Sequence, residues 1–171
     1  MGWACLLASA AAWRTARAHD GTHAAQPPAD PQAERGAIGQ RWDFTLATLD
    51  GDRFVQPARL SGPVLVNFWG RDCAPCLNEL PRLAAFAQRQ PHWTVLLVST
   101  DTPSAAREAL AQRGIALAAL RSGANVTALM RSAGNRSGAL PYSVGLRGGL
   151  ICHTQVGELS ETTLSAWAEA C

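Results

Sequence analysis

The sequence predicts an α/β fold in which a central mixed sheet is flanked by helices. Two continuous apolar runs, at 64–69 and 94–99, have the length and β-branched content of strands buried on both faces. Helical spacing follows each run, so these strands are predicted to lie parallel. Predicted hairpins at both ends of the domain add antiparallel strands.

Composition identifies a globular domain and excludes several classes of partner. The chain has 171 residues, of which 47% are apolar, enough for a core and too many for a disordered chain. Its 15 basic residues, all arginine, face 13 acidic ones, and the formal net charge is +2. Without residues 1–18, which hold Arg14 and Arg17, the charges balance. A neutral chain has no broad field that attracts nucleic acid or anionic lipid, so we expect neither as a partner.

Residues 1–18 have the pattern of a secretory leader. An apolar stretch over 3–13 precedes Ala16-Arg17-Ala18, a small-x-small cleavage pattern. A segment that stays attached as a weak anchor and a cytosolic tail are the alternatives. Residues 19–40 are rich in Ala, Pro, Gln and Gly without periodicity and predict a flexible linker. The folded domain is predicted over 41–171.

Cysteine usage favours export. Beyond the leader the cysteines are Cys73, Cys76, Cys152 and Cys171. An even number is what an oxidising compartment favours. No apolar run approaches the ~20 residues of a membrane span.

The elements are predicted in order along the domain. Alternation over 42–48, the turn Asp50-Gly51 and residues 53–55 predict an N-terminal hairpin. Apolar residues at helical spacing run over 77–87, between the two buried strands. The remaining predictions are a helix over 102–113, a short strand at 115–120, a helix over 124–133, a hairpin of 143–146 with 150–156, and a helix over 162–171.

The sequence Cys73-Ala74-Pro75-Cys76 stands between a buried strand and a helix. Unpaired backbone N–H groups and the positive dipole end of a helix stabilise a thiolate, which is the nucleophile of disulfide exchange. Pro75 suits the first turn, which loses no hydrogen bond to it. Cys76 lies close enough to pair with Cys73. Such a pair can attack a foreign disulfide, form a mixed disulfide and resolve it internally.

Other roles for the pair stay open at this point. A zinc site needs about four ligands, and Cys152 with His153 is the one further pair that could supply them. An inert bridge over so short a loop constrains little chain. A copper carrier would use the Cys73 and Cys76 thiolates as soft ligands, with no further ligand evident. We therefore predict a redox pair that needs no metal and no cofactor.

Around this pair the sequence resembles the thioredoxin superfamily, and within it the membrane-linked bacterial thiol–disulfide reductases of the TlpA, ResA and CcmG group. The resemblance rests on V-N-F-W-G-R-D-C-A-P-C-L-N-E-L-P at 66–81 and on G-A-L-P-Y-S at 138–143, which is similar to the family's cis-proline loop. It covers residues 36–171. It implies a thioredoxin-like fold with an N-terminal β-hairpin and a helix-strand insertion over 101–122.

The resemblance also implies a function. Such proteins are exported to the periplasm, where they reduce a disulfide in a partner protein during cytochrome c maturation or copper-site assembly. A membrane electron donor of the thiol-relay type then reduces them again. We expect this chain to do the same, as a monomer. A general protein disulfide oxidant and a thioredoxin-like copper-binding chaperone are the alternatives. A peroxidase is disfavoured because peroxiredoxins place a lone reactive cysteine in a different setting.

Several site residues follow from the resemblance. Glu79 would move protons to and from the second cysteine, and Asn67 stands where some superfamily members carry a buried Asp. Pro141 would be cis and hold its backbone beside the sulfurs, where a substrate chain can pair as an added strand. Leu140 and Ala139 would then touch the substrate.

Four further positions carry more open predictions. Asp72 replaces the Trp that usually precedes the first cysteine, and a carboxylate there opposes thiolate formation and alters partner choice. Trp69 is predicted either to shape the substrate site or to be a core aromatic. Cys152, in a predicted strand, and Cys171, at the end of the last helix, are predicted to form a structural disulfide, with two separate thiols as the alternative.

Overall fold

The computed structural model describes residue 1 and residues 37–171. The predicted leader after residue 1, and the predicted linker as far as residue 36, lie outside the described residues. Residues 37–40, which the sequence assigns to the end of the linker, contact the folded domain. Ala37 is 4% exposed, and the Gly39 amide donates to the Ile151 carbonyl at 2.7 Å. Contacts with a strand distant in sequence hold this turn in place, and the local sequence pattern does not predict such contacts.

The N-terminal hairpin is present but shorter than predicted. β1 (Leu46–Ala47) pairs antiparallel with β2 (Phe54–Val55). The predicted strand began at Trp42, whose amide instead donates to the Gly149 carbonyl at 2.8 Å. The alternating pattern before β1 therefore reflects packing against the sheet rather than pairing within the hairpin. A single 3₁₀ turn, Pro57–Arg59, follows the hairpin.

Among the described residues, five strands build the central sheet: β3 (Pro63–Trp69), β4 (Thr94–Ser99), β5 (Ala118–Arg121), β6 (Tyr142–Arg147) and β7 (Leu150–Val156). Their order is β5-β4-β3-β6-β7. β3, β4 and β5 run parallel, whereas β6 is antiparallel to β3 and to β7. The predicted mixed sheet is confirmed, with β3 at its centre.

Two apolar layers lie on opposite faces of this sheet. Along β3, Leu65 and Trp69 face one layer, and Val66 and Phe68 face the other. Every residue of β3 is buried. A strand covered on both faces must be apolar at nearly every position, which explains the continuous run in the sequence.

Within residues 37–171, four α-helices cover the sheet: α1 (Ala74–Arg89), α2 (Pro103–Gln112), α3 (Val126–Ser132) and α4 (Glu161–Ala170). Each begins at a residue whose side chain accepts a backbone N–H, and these N-caps are Cys73, Thr102, Asn125 and Ser160. α1 and α2 connect successive parallel strands in one direction along the sheet. Right-handed crossovers place both on one face, and their buried residues share one apolar layer with α4.

The sheet topology brings distant segments to one edge. The antiparallel register pairs Phe68, near the end of β3, with Tyr142, the first residue of β6. The segment before β6 therefore meets the turn that leads from β3 into α1. No helix among the described residues combines the length and the apolar character that crossing a bilayer requires.

Candidate active site

Cys73 and Cys76 form a disulfide at the start of α1, with their Cα atoms 5.2 Å apart. Cys73 is the N-cap of the helix, and its Sγ accepts the Cys76 backbone N–H at 3.2 Å. This contact and the helix dipole both favour negative charge on the Cys73 sulfur. Cys73 is partly exposed, while Cys76 is only 1% exposed. The first sulfur is thus accessible, and the second is covered.

Hydrogen bonds from the β4 end fix the turn before Cys73. The Asp101 carboxylate accepts the Arg71 amide at 2.7 Å, and the Thr100 amide donates to the Trp69 carbonyl at 2.9 Å. A Cβ at Gly70 would lie 2.8 Å from Thr100 Oγ1, so any other residue would force that hydroxyl to move. Sequence reasoning missed Asp101, since its partner lies on a different element and no local pattern marks it.

Glu79 lies inside the protein, at 0% exposure, on the helix face that also carries Cys76. Burial raises its pKa from 4.5 to about 7, because the charged form loses its hydration; the nearby Glu158 acts in the same direction. The backbone of Leu159 and the charge of Arg82 act in the opposite direction. A carboxyl group that titrates near neutral pH can both accept and donate a proton there.

One amide side chain links this acid to the sheet. Asn67 Nδ2 donates to Glu79 Oε1 and to Ser143 Oγ, both at 2.9 Å. Asn67 and Ser143 are register partners on β3 and β6. The second carboxylate oxygen, Glu79 Oε2, has no hydrogen-bond partner among the described residues.

The loop before β6 carries the predicted cis-proline. The Leu140–Pro141 peptide is cis. The Pro141 carbonyl accepts the Gly157 amide at 2.8 Å, and Pro141 itself is buried. Ala139 and Leu140 remain partly exposed. A Cβ placed on Gly70 would lie 3.8 Å from Leu140 Cδ1, so this loop borders the turn that leads to Cys73.

A buried asparagine shapes this loop and was not anticipated from the sequence. Asn135 is 1% exposed; its Oδ1 accepts the Gly138 amide at 2.9 Å, and its Nδ2 donates to the Ala139 carbonyl at 2.8 Å. The signal was present, because an Asn between glycines is typical of a side chain that closes a turn on its own backbone.

Of two residues predicted to contact the substrate, the structure buries Trp69 and leaves Asp72 exposed. Trp69 is 0% exposed and packs in the apolar layer beneath α1, so a partner cannot touch it and the core interpretation applies. Asp72 has 89% of its side chain exposed and lies 3.7 Å from the Arg71 guanidinium. Water and this neighbour screen the Asp72 charge and so limit its opposition to a Cys73 thiolate.

Cys152 and Cys171 are also joined, with Cα atoms 5.7 Å apart. A β-bulge between β6 and β7 lies beside Cys152, and the next residue, His153, stacks on Trp167 of α4 at 5.1 Å. The bridge fastens the end of α4 to the sheet. Burial lowers the pKa of His153, because the charged ring would lose its hydration. Among residues 37–171, no cluster of His, Cys, Asp or Glu could hold a metal ion.

The fold, with a cysteine pair at a helix N-terminus, defines the class as thioredoxin-like thiol–disulfide oxidoreductases. The chain belongs to the AhpC/TSA family, whose model matches residues 38–133. No curated protein matches it in sequence.

Solved structures show the same fold. StoA from Bacillus subtilis is 19% identical with a TM-score of 0.60, and the match covers 77% of this chain and 98% of that one. A thioredoxin-related protein from Neisseria meningitidis serogroup B is 25% identical with a TM-score of 0.65, over 72% and 96% of the two chains. A secreted Mycobacterium tuberculosis disulfide oxidoreductase homologous to E. coli DsbE is 21% identical with a TM-score of 0.61, over 75% and 96%.

Proposed function

We propose that this chain is an exported disulfide reductase that acts on cysteines of partner proteins. The observation that carries the proposal is the contrast between its two active-site sulfurs. Cys73 is partly exposed and its sulfur accepts a backbone N–H, whereas Cys76 is buried. A foreign disulfide can therefore reach the first sulfur alone, and the second is held for the internal step.

The reaction balances in two exchange steps. The Cys73 thiolate attacks one partner sulfur, a mixed disulfide forms, and the other partner sulfur leaves as a thiolate. Glu79 then takes the proton of Cys76, whose thiolate attacks Cys73 and releases the second partner thiolate. The partner gains two electrons and, from solvent, two protons, while Cys73 and Cys76 become a disulfide. A dithiol donor, which we place at the membrane, restores the pair by the reverse exchange.

Pro141 and its neighbours would dock the partner chain. Ala139 and Leu140 are partly exposed beside the turn that leads to Cys73, and an extended segment could pair there as an added strand. Partners of the apocytochrome c or copper-site type, a periplasmic location and action as a monomer belong to the same proposal. The secreted mycobacterial oxidoreductase named above supports the location by fold alone.

Trapping tests the exchange mechanism. In Cys76→Ser the mixed disulfide cannot be resolved, so partner proteins should remain bound to Cys73 until a reducing agent is added. The matched control is Cys73→Ser, which keeps the buried thiol and should trap nothing. Equal trapping by both variants, or by neither, would overturn the proposed role of Cys73.

A reduction potential decides the direction of electron flow. A value near about −270 mV, typical of thioredoxin, supports a reductant, whereas a value near about −120 mV identifies an oxidant of the DsbA type. Turnover of hydrogen peroxide would instead identify a peroxidase. Disulfide reduction by metal-free protein would exclude the copper chaperone as the function of the pair.

A further inference from the structure

Asn67 interrupts an apolar stripe. Its neighbours on the same face of β3 are Leu65 and Trp69, both 0% exposed, and Asn67 itself is 1% exposed. Burying an amide is unfavourable unless hydrogen bonds replace those to water. Both N–H groups of Asn67 are used, one on Glu79 and one on Ser143. The side chain thus bridges three elements, namely β3, α1 and β6.

This geometry constrains the acid. A protonated carboxyl carries its hydrogen on one oxygen and still accepts on the other. Glu79 Oε1 already accepts the Asn67 N–H, whereas Oε2 has no partner among the described residues. A proton arriving at Glu79 is therefore directed to Oε2.

We propose that Asn67 is the positioning residue of Glu79: its amide directs the titrating proton to Oε2, and its bond to Ser143 ties the carboxyl group to the strand that follows Pro141. One consequence of this inference, that Glu79 Oε2 exchanges a proton with Cys76, rests on the proposed function. Residues at positions i and i+3 of a helix have Cβ atoms about 5–6 Å apart, so Cys76 and Glu79 are neighbours on one face of α1.

Other groups that act on Glu79 are few. α1 contributes Cys76 and Arg82, and the segment before α4 contributes Glu158 and the backbone of Leu159, which lowers the pKa of Glu79 and is kept in every variant tested below. Arg82 and Glu158 lie 3.6 Å from each other and largely offset one another. From β3 and β6 come Asn67 and Ser143, neither of which titrates near neutral pH. Removing the Asn67 N–H donor should therefore shift the titration midpoint of Glu79.

Carbon-13 labelling of glutamate follows that titration in the oxidised protein, with Glu79→Gln to assign the signal. An N–H donor stabilises the ionised carboxylate, so Asn67→Leu should raise the titration midpoint by about one pH unit, a tenfold change in proton affinity. Asn67→Asp should split the titration into two steps, since two carboxyl groups then share a proton. Val66→Ala, which shortens a side chain on the opposite face of β3, should leave the midpoint unchanged.

Ser143→Ala provides a second test should Asn67→Leu fail to fold, because it keeps the amide and removes its anchor. Its midpoint should move in the same direction as that of Asn67→Leu. An unchanged midpoint in the folded variants would overturn the positioning role. The titration needs no partner protein, so the two tests are independent. If partners are trapped but the midpoints do not move, this inference alone is refuted. If the midpoints move but no partner is trapped, the proposed function alone is refuted.

Discussion

Cys76 and Glu79 lie one helical turn apart on the buried face of α1, at 1% and 0% exposure. A thiol and a carboxyl group thus share a compartment that bulk water does not reach. Burial raises the pKa of the carboxyl to about 7. A carboxyl group with this pKa can take up or release a proton near neutral pH, which is what the proposed role of Glu79 requires.

Glu79→Gln should change the pH dependence of stability. The folded-state pKa is raised above the reference value of 4.5 to about 7, so the stabilising contribution of Glu79 is complete below pH 4.5 and is lost as the pH rises through 7. The loss is on the order of 3 kcal/mol relative to the variant, whose amide does not titrate.

Urea unfolding of both oxidised proteins at about pH 4 and about pH 8 measures this difference. The wild type should lose stability relative to Glu79→Gln between the two conditions. A difference in the free energy of unfolding that is the same at both pH values would contradict the raised pKa.

Asp72→Asn should make Cys73 a somewhat stronger acid. The substitution removes a negative charge next to the thiolate, and the exposed position limits the decrease in its pKa to less than about one unit. Arg71→Gln removes the opposite charge and should raise the pKa. The rate of iodoacetamide alkylation measured against pH, in a Cys76→Ser background, gives the Cys73 pKa in both variants. A higher Cys73 pKa in Asp72→Asn than in the wild type would contradict the proposed effect of Asp72.

The double variant Cys152→Ser/Cys171→Ser should be less stable by about 3 kcal/mol, the value expected for a loop of this length. The bridge spans a sequence separation of 19 and fastens the end of α4. Denaturant unfolding measures the loss. Trapping through Cys73 should survive the change at a temperature where the variant is folded, because the second bridge is not part of the exchange. A variant as stable as the wild type would show that the bridge constrains nothing.

Asn135→Ala should impair reduction of protein disulfides more than of small ones. It removes the side-chain bonds to Gly138 and Ala139, which shape the loop where a partner strand would pair. Asn125→Ala is the matched control, because Asn125 caps α3 and does not support that loop. Rates with a folded protein substrate and with a small aromatic disulfide separate the effects. An equal loss with both substrates would indicate general destabilisation.

The sequence pattern correctly predicted the elements that are determined by neighbouring residues. The strands predicted at 64–69 and 94–99 and the helix predicted to begin at Thr102 lie close to their predicted positions. The cysteine pair at a helix start is equally local. The contact of Asn67 with Ser143, by contrast, depends on pairing strands 76 residues apart in sequence. The burial of Trp69 depends on which face of the sheet α1 covers. A strand buried on both faces is apolar throughout, so its sequence does not distinguish the two faces.

The strand order also has a consequence for how the chain is made. β3 receives one neighbour, β4, soon after it is synthesised, but its other neighbour is β6, which begins only at Tyr142. Until that segment emerges, the central strand presents an unpaired edge, and the reactive cysteines already exist without the loop that borders them. A nascent chain is therefore most exposed to wrong strand pairing in that interval, and shielding by a chaperone would matter most there.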